Sequence, residues 1–311
     1  MTIVALSLAL PALAHGASTK PGVTTGATAN PAPQSFTVIG KVDPNGAKTS
    51  YLFQYGTTTI YGSATPVADA GDGTSAVTVL GNLTGLAPAS VYHYRLVAHN
   101  RNGTVSGVDR VFRTRPQPLG LTLAATPNPV PFGRPTVLTG ALTGTGNAAK
   151  QIVLQSNPFP YTQGFVTVSN PQLTGTDGAF TFPLLSVPLN TQYRVLIPTR
   201  PEVASPIVGV SVALRVSTNV SARRVRTGRL VRFFGRVRPA RPGALVGIQK
   251  LHGTRWVTVA GTITHHGGTS FSRYAKRVRI RRGGSYRVFV SIADGNFASS
   301  AGRTVKITRR F

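Results

Sequence analysis

Residues 91–98 alternate between two kinds of side chain, and this pattern limits what the chain can fold into. One set is Tyr92, Tyr94, Leu96 and Ala98, and the interleaved set is Val91, His93, Arg95 and Val97. Because successive side chains of a β-strand point to opposite faces, a period of two predicts a half-buried strand. The first of the two sets is expected to face a core.

The segment that leads into this strand reads Leu86-x-Pro88-x-Ser90-x-Tyr92. It looks like a tyrosine corner, in which a buried Tyr hydroxyl hydrogen-bonds to the backbone a few residues upstream. Together with Val42–Gly46 and Tyr51–Gly56, this segment makes residues 20–115 resemble the fibronectin type III domain of secreted bacterial proteins, although the Trp usual on an early strand is missing. The resemblance implies a two-sheet sandwich that serves as a spacer, an adhesive module or an accessory domain of a secreted enzyme.

Six strands are predicted in this first domain from alternation and turn signals. They are Val23–Ala29, Ser35–Val42, Ser50–Tyr55, Ser75–Asn82, Val91–His99 and Gly107–Thr114. Arg115–Pro118 follows with two prolines, which favour an extended backbone and indicate a short, stiff linker.

The rest of the chain contains an internal repeat with an offset of about 95 residues, and Gly133 and Gly228 mark the start of its best-matched segment. Each copy carries several alternating strands, which suits an immunoglobulin-like sandwich. We therefore predict an all-β chain of three tandem β-sandwich domains: a fibronectin III-like domain at 20–115, repeat 1 at 119–212 and repeat 2 at 213–311. No flexible spacer separates the repeats.

The first residues resemble an export signal. The apolar run Thr2–Leu10 is followed by Ala12-Leu13-Ala14, a small-x-small cleavage pattern, although no Lys or Arg precedes the run. We expect a signal peptide and leader over 1–17, with cleavage after Ala14; a short buried strand is the alternative. This run is too short to span a bilayer, and no other apolar run is long enough to do so. The protein is thus expected to be secreted or to lie at the cell surface.

Charge is distributed very unevenly. The formal net charge is +27, and residues 213–311 hold 22 of the 34 basic residues but only one of the seven acids, Asp294. Such an excess favours an anionic partner, because the self-repulsion otherwise only destabilises the fold. Arg outnumbers Lys 27 to 7, so part of the excess is open to a compositional explanation.

Comparison of the repeats locates the charge on one strand face. Repeat 1 has Val137, Thr139, Ala141 and Thr143 where repeat 2 has Arg232, Phe234, Arg236 and Arg238. A second run of arginines alternates in repeat 2, comprising Arg277, Arg279 and Arg281 and extended by Arg282. Arginine suits bidentate contacts to phosphate, sulfate or carboxylate. These seven arginines are the predicted anion-binding site, and a merely solvated face is the alternative.

The sequence offers little for catalysis or cofactor binding. It contains no Cys, and most of its seven acids stand beside turn residues, so neither a thiolate site nor a carboxylate pair is indicated. Trp256, Tyr161, Phe165, Phe234 and Tyr274 are candidates for a sugar-stacking platform, with sheet packing favoured. His252, His265 and His266 are a weak metal-site candidate, and no metal or cofactor is predicted.

We therefore expect a non-catalytic surface or matrix protein whose repeat 2 binds an anionic polysaccharide, a cell-envelope polymer or another polyanion. Nucleic acid is expected only as a non-specific polyanion. The alternatives are an accessory carbohydrate-binding protein beside a polysaccharide-degrading enzyme, and a structural spacer. Salt separates charge-driven from stacking-driven binding, because only the former weakens steeply with screening.

Overall fold

The computed structural model describes residues 19–199 and 201–309, and every regular element within these ranges is a β-strand. Contacts divide the chain after Pro118 into two compact units, the second of which begins at Leu119. The predicted fold class, tandem β-sandwiches in an all-β chain, is confirmed by paired sheets in each part. The predicted signal peptide lies outside the described residues.

The first unit is a sandwich of two sheets, β1-β2-β6 and β4-β3-β7-β8, with β5 paired to β3 and β9 to β7. Its strands are β1 (Gly22–Ala29), β2 (Ser35–Asp43), β3 (Thr49–Gly56), β4 (Ser63–Ala64), β5 (Ala68–Gly71), β6 (Val77–Thr84), β7 (Val91–Asn100), β8 (Gly103–Ser106) and β9 (Arg110–Arg113). The core lies between the sheets, with Phe53, Leu83 and Leu96 fully buried.

Tyr92 connects strand β7 to the segment before it. Its hydroxyl accepts a hydrogen bond from the Ala87 amide at 2.9 Å, and its ring stacks on Phe112 with centroids 5.6 Å apart. Leu86 is buried just before this amide, and the Pro88 carbonyl accepts a bond from the Ser90 hydroxyl. The segment that the sequence singles out is therefore tied to the strand by both packing and hydrogen bonding.

The predicted strand Gly107–Thr114 is present in a shorter form, as β9 (Arg110–Arg113), because residues 107–109 lie outside any strand. Strand β8 (Gly103–Ser106), which precedes these residues, was not predicted. The Gly107 amide donates to the Leu96 carbonyl, and a Cβ on Gly107 would collide with Thr25. This close approach interrupts the strand, and alternation does not reveal it. The short strands β4 and β5 were also not predicted.

Repeat 1 contains a four-stranded sheet, in which β13 pairs with β10, β11 and β17, and a six-stranded sheet centred on β14 and β18. Its strands are β10 (Gly120–Leu121), β11 (Ala124–Thr126), β12 (Val130–Pro131), β13 (Thr136–Thr143), β14 (Gln151–Pro158), β15 (Val166–Thr167), β16 (Gln172–Leu173), β17 (Ala179–Leu184), β18 (Thr191–Ile197), β19 (Val203–Ala204) and β20 (Val208–Val210).

Repeat 2 has a five-stranded sheet, β22-β25-β29-β28 with β23 on β25, and a six-stranded sheet, β24-β32-β30-β26-β27 with β31 on β30. The strands from the junction onward are β21 (Val212–Ala213), β22 (Arg215–Val216), β23 (Asn219–Val220), β24 (Arg224–Val225), β25 (Arg229–Arg238), β26 (Leu245–His252), β27 (Arg255–Ile263), β28 (His265–Gly268), β29 (Phe271–Ile280), β30 (Gly284–Ser291), β31 (Ser300–Ala301) and β32 (Val305–Arg309).

The two repeats share the same pair of hydrogen bonds at the same place in the fold. In repeat 1 the Ala141 amide donates to the Thr122 hydroxyl at 2.9 Å, while the Thr122 amide donates to the Ala141 carbonyl at 3.0 Å. In repeat 2, Arg236 and Ser217 make the same two bonds, at 2.8 and 2.9 Å. Ala141 and Arg236 are therefore structurally equivalent positions.

The junction between the repeats is packed and hydrogen-bonded around Asn190. The Asn190 amide nitrogen Nδ2 donates to the Gly295 carbonyl at 2.8 Å, and Oδ1 accepts from the Val212 amide at 2.7 Å. The Asn190 backbone amide also donates to the Asn296 carbonyl at 2.8 Å. Because Val212 is fully buried there, the chain passes from repeat 1 into repeat 2 through a buried strand.

Candidate anion-binding face

The candidate site is the outer surface of the sheet formed by β22, β23, β25, β28 and β29. Strand β25 alternates strictly, so that Val231, Phe233 and Val237 are fully buried while the residues between them face outward. In β29, Val278 and Ile280 are buried, and Arg277 and Arg279 are exposed. Strand alternation therefore places two rows of arginines on one surface.

Register brings these arginines into cross-strand pairs. Arg232 lies opposite Arg277, and Arg236 lies opposite Arg273, on antiparallel strands β25 and β29. On the other side of β25, Arg238 lies opposite Arg215 of β22. With Arg279, these residues form what we term the arginine face: Arg215, Arg232, Arg236, Arg238, Arg273, Arg277 and Arg279.

Five of the seven predicted site residues lie on this face. The other two, Arg281 and Arg282, lie in the turn between β29 and β30, beyond the last paired row, so the prediction that they continue the stripe is corrected. The strand ends at Ile280, which accepts a hydrogen bond from the Gly228 amide, and the chain then turns into β30. Arg281 and Arg282 are exposed at this end of the sheet.

Two residues of the arginine face were missed by the sequence reasoning. The alternation of β29 extends back through Ala275 to Arg273, so the signal for Arg273 was present in the sequence. Arg215 carries no such signal, because only the pairing of the two-residue strand β22 with the end of β25 puts it beside Arg238.

Within the described part of the chain, no carboxylate forms an ion pair with the arginine face. The three ion pairs found within residues 19–199 and 201–309 involve His93, Arg194 and Arg241, which all lie elsewhere. Asp294, the single acid of repeat 2, lies 3.3 Å from Arg241. Like charges directly opposite each other on a sheet are destabilising. The face therefore holds repulsion that an anionic ligand would relieve.

The outer surface is concave, with a volume of about 1100 Å³ over the arginines. Phe234 lies within it and remains 36% exposed, with the Arg232 guanidinium 5.3 Å from its ring centroid. The Arg236 guanidinium covers the Phe271 ring at 4.6 Å.

Beneath the arginine face, the hydroxyl of Tyr274 donates a hydrogen bond to the Ser217 carbonyl at 2.6 Å. Burial raises the pKa of Tyr274, so its hydroxyl stays neutral and offsets none of the positive charge.

Repeat 1 shows that the fold does not need these charges. On its equivalent surface β13 presents Val137, Thr139, Ala141 and Thr143, and the neighbouring strand β17 presents Ala179, Thr181 and Pro183. Ala141 lies opposite Ala179 there, in the positions that correspond to Arg236 and Arg273. Charge is therefore a property of repeat 2 and not of the sandwich.

The aromatic residues proposed as a sugar platform do not form one surface. Trp256 lies on β27, in the other sheet of repeat 2, and the Arg287 guanidinium covers its ring at 4.4 Å. Phe165 has the same arrangement with Arg194 in repeat 1, at 4.6 Å. Tyr274 is buried, and Tyr161 packs against Phe159.

This covering of an aromatic ring by an arginine is a packing feature that recurs in all three sandwiches. The Arg287 and Arg194 side chains each donate from Nε to a glutamine, Gln249 and Gln155, at 2.8 Å. In the first unit, Arg95 donates to Gln54 at 2.8 Å and covers the Tyr61 ring at 4.6 Å. Trp256 is therefore assigned to the packing of the sandwich and not to a sugar-binding surface.

The three histidines that were candidates for a metal site, His252, His265 and His266, are exposed. His265 and His266 are neighbours on β28, where His265 pairs with Arg273, and His252 ends β26. Within residues 19–199 and 201–309 no three His, Cys, Asp or Glu side chains are grouped closely enough to hold a metal ion. The same part of the chain contains no helix that would reach across a lipid bilayer.

No family model matches this chain, and no curated protein matches it. Solved structures with similar architecture include the chicken CNTN1 FN1-FN3 domains, at 16% identity over 94% of this chain and 100% of that one, with a TM-score of 0.29. Domains of titin match at 14% identity, covering 94% of this chain and 100% of the other, with a TM-score of 0.36. A tetra-tandem repeat from the extending region of a large adhesion protein matches at 14% identity over 92% and 74% of the two chains, with a TM-score of 0.30. These are similarities to tandem-domain proteins and establish no shared function.

Proposed function

We propose that this chain is an exported, non-catalytic modular protein that binds an anionic polymer through the arginine face of repeat 2. One observation carries the proposal: arginines face each other in register across β25 and β29 with no carboxylate among them, while repeat 1 has neutral residues at the same positions. The fold does not require this arrangement, and the arrangement is electrostatically unfavourable. The best explanation for it is an external anion that binds there.

Export is supported by the apolar run Thr2–Leu10 and by Ala12-Leu13-Ala14. In this proposal the first domain and repeat 1 act as spacers that carry repeat 2, as the resemblance of residues 20–115 to fibronectin type III domains implies. N-terminal sequencing of the mature protein tests export. A new N-terminus at His15 is expected, and an intact Met1 in a cytoplasmic fraction contradicts it.

The accessory carbohydrate-binding alternative depends on stacking aromatics. Of the five aromatic residues that were candidates for a platform, Trp256 and Phe165 are covered by arginines and Tyr274 is buried. Of these five, Phe234 is the one exposed on the arginine face, and the Arg232 guanidinium lies 5.3 Å from its ring centroid. Charge is therefore proposed to dominate binding.

The test is retention of the full chain on heparin and on a neutral polysaccharide as salt rises. In one variant Arg232, Arg236, Arg273 and Arg277 are replaced by Thr. A control removes the same charge from the opposite sheet by replacing Arg224, Arg255, Lys306 and Arg309, which are all exposed. We expect the parent and the control to be retained on heparin and to elute with salt, and the face variant to flow through.

Equal elution of the two variants would show that only total charge matters, and the spacer alternative would then be preferred. Retention on the neutral column at high salt would favour the carbohydrate-binding alternative instead, because apolar stacking is not screened.

A further inference from the structure

We propose that the arginine face recognises a polysaccharide in which anionic groups alternate with an uncharged sugar unit. In this arrangement the uncharged unit lies on Phe234 and the anions lie on the arginine pairs to either side. The inference rests on the proposed function and specifies the ligand of the same face.

Charged and uncharged residues follow one another in a fixed order along the outer side of β25. The outward positions read Arg238, Arg236, Phe234 and Arg232, and each of the three arginines has another arginine opposite it. Outward positions are two residues apart, about 6.7 Å along a strand. The pairs at Arg236 and Arg232 are consequently about 13 Å apart. The position between them bears no charge.

That central position has the chemistry of a sugar contact. Phe234 exposes a third of its surface. Asn219, directly opposite on β23, is exposed and faces outward because its neighbour Val220 pairs with the buried Phe233. On the other side of Phe234 lies Ala275, which is small and leaves room. An apolar ring beside an amide that both donates and accepts matches a sugar ring, which has an apolar face and hydroxyls at its edge.

A single-stranded nucleic acid fits this order less well. It carries a phosphate at every nucleotide, and proteins that bind it stack successive bases on several aromatic side chains. Here one exposed ring lies between charged pairs, and the nearby Phe271 is covered by the Arg236 guanidinium. A ligand with a charge at every step would place an anion over Phe234, whose two cross-strand neighbours, Asn219 and Ala275, are uncharged. The nearest guanidinium there is that of Arg232, 5.3 Å from the ring centroid.

The test compares four probes on the full chain by titration calorimetry. Hyaluronan oligosaccharides carry a carboxylate on alternate sugars, and alginate oligosaccharides carry one on every sugar. Oligo-dT carries a phosphate at every nucleotide together with bases that can stack, and inorganic polyphosphate carries charge at every unit and no ring. The variants are Phe234→Ala, Asn219→Ala and, as a matched control, Leu230→Ala. Leu230 is an exposed apolar residue of the same strand and face, outside the proposed sugar contact.

We expect tighter binding of hyaluronan than of alginate fragments of equal length. Loss of the Phe234 ring should weaken hyaluronan binding roughly tenfold, as aromatic contacts of about 1.4 kcal/mol imply, and polyphosphate binding should not change. Leu230→Ala should match the parent with every probe.

The outcomes separate the two proposals. If polyanions bind but Phe234→Ala weakens none of them, this inference fails and the proposed function stands. If oligo-dT binds most tightly and depends on Phe234, the ligand is a nucleic acid and the inference is overturned. If no probe binds, the proposed function fails as well.

Discussion

Arg236 and Arg273 lie directly opposite each other on antiparallel strands, both exposed, and neither forms an ion pair with a carboxylate of residues 19–199 or 201–309. Each cross-strand pair of like charges is expected to cost about 0.2–1 kcal/mol. Arg236→Thr should therefore raise the unfolding temperature of the second unit, and added salt should stabilise the parent more than this variant. Calorimetry of the full chain at low and high salt measures both effects. Lys306→Thr is the control, because Lys306 lies opposite the neutral Ser285; an equal gain in the control would contradict the pairing argument.

Two glycines at equivalent positions should tolerate no side chain. A Cβ on Gly235 would collide with the Ser217 carbonyl oxygen, and one on Gly140 would collide with that of Thr122. We expect Ala at either position to destabilise the second unit by about 1–3 kcal/mol, the usual cost of overpacking. Gly209→Ala is the control, since nothing lies within 4 Å of its Cβ position. Chemical denaturation of the three variants measures their stability. Three equal denaturation midpoints would contradict the expectation.

Tyr92→Phe removes the acceptor of the Ala87 amide and leaves the ring stacked on Phe112. The free energy of unfolding of the first unit should fall by about 1 kcal/mol, the net value of one hydrogen bond. Calorimetry of the full chain measures the transition of that unit, and the transition of the second unit is the internal reference. An unchanged first-unit midpoint would show that the hydroxyl contributes nothing.

The junction of the repeats should depend on Asn190. Asn190→Ala leaves the Val212 amide and the Gly295 carbonyl without their side-chain partners, at a cost of about 1–3 kcal/mol for each group that remains buried. We expect faster proteolysis between the repeats and a separation of their unfolding transitions. Asn128→Ala is the control, because the Asn128 side chain bridges Gly209 and Ser211 by a similar pair of bonds at an exposed position. Similar proteolysis of both variants would indicate that the junction does not rely on Asn190.

Acid should weaken the first unit through Asp109. Partial burial acts to raise the pKa of this carboxyl, but hydrogen bonds from His93 and Tyr61 and the charges of His93 and Arg95 outweigh it, and the pKa is lowered. A lowered pKa in the folded state means stability that is present above the ordinary carboxyl pKa and is lost as pH falls through the lowered value. Unfolding temperatures measured from pH 6 to pH 2 should show this loss in the parent and a smaller loss in Asp109→Asn. Parallel pH profiles would refute the assignment.

The sequence by itself determined which side of the long strands β7 and β25 is buried. Side-chain alternation is a local property of an extended chain, so the inward Tyr92 of β7 and the outward Arg232 and Arg236 of β25 follow from spacing alone. Repeat 1 has the neutral residues Thr139 and Ala141 where repeat 2 has Phe234 and Arg236. This comparison identifies the charge as dispensable for folding.

Only the tertiary structure decided which strands are neighbours, because register depends on packing between segments far apart in the chain. It placed Arg215 beside Arg238 and Asn219 beside Phe234, and it removed Arg281 and Arg282 from the face by ending β29 at Ile280. The tertiary structure also placed Arg232 opposite Arg277, which the sequence does not show. A row of arginines is visible in the sequence, but the order of charged and uncharged positions across neighbouring strands exists only once the sheet is assembled.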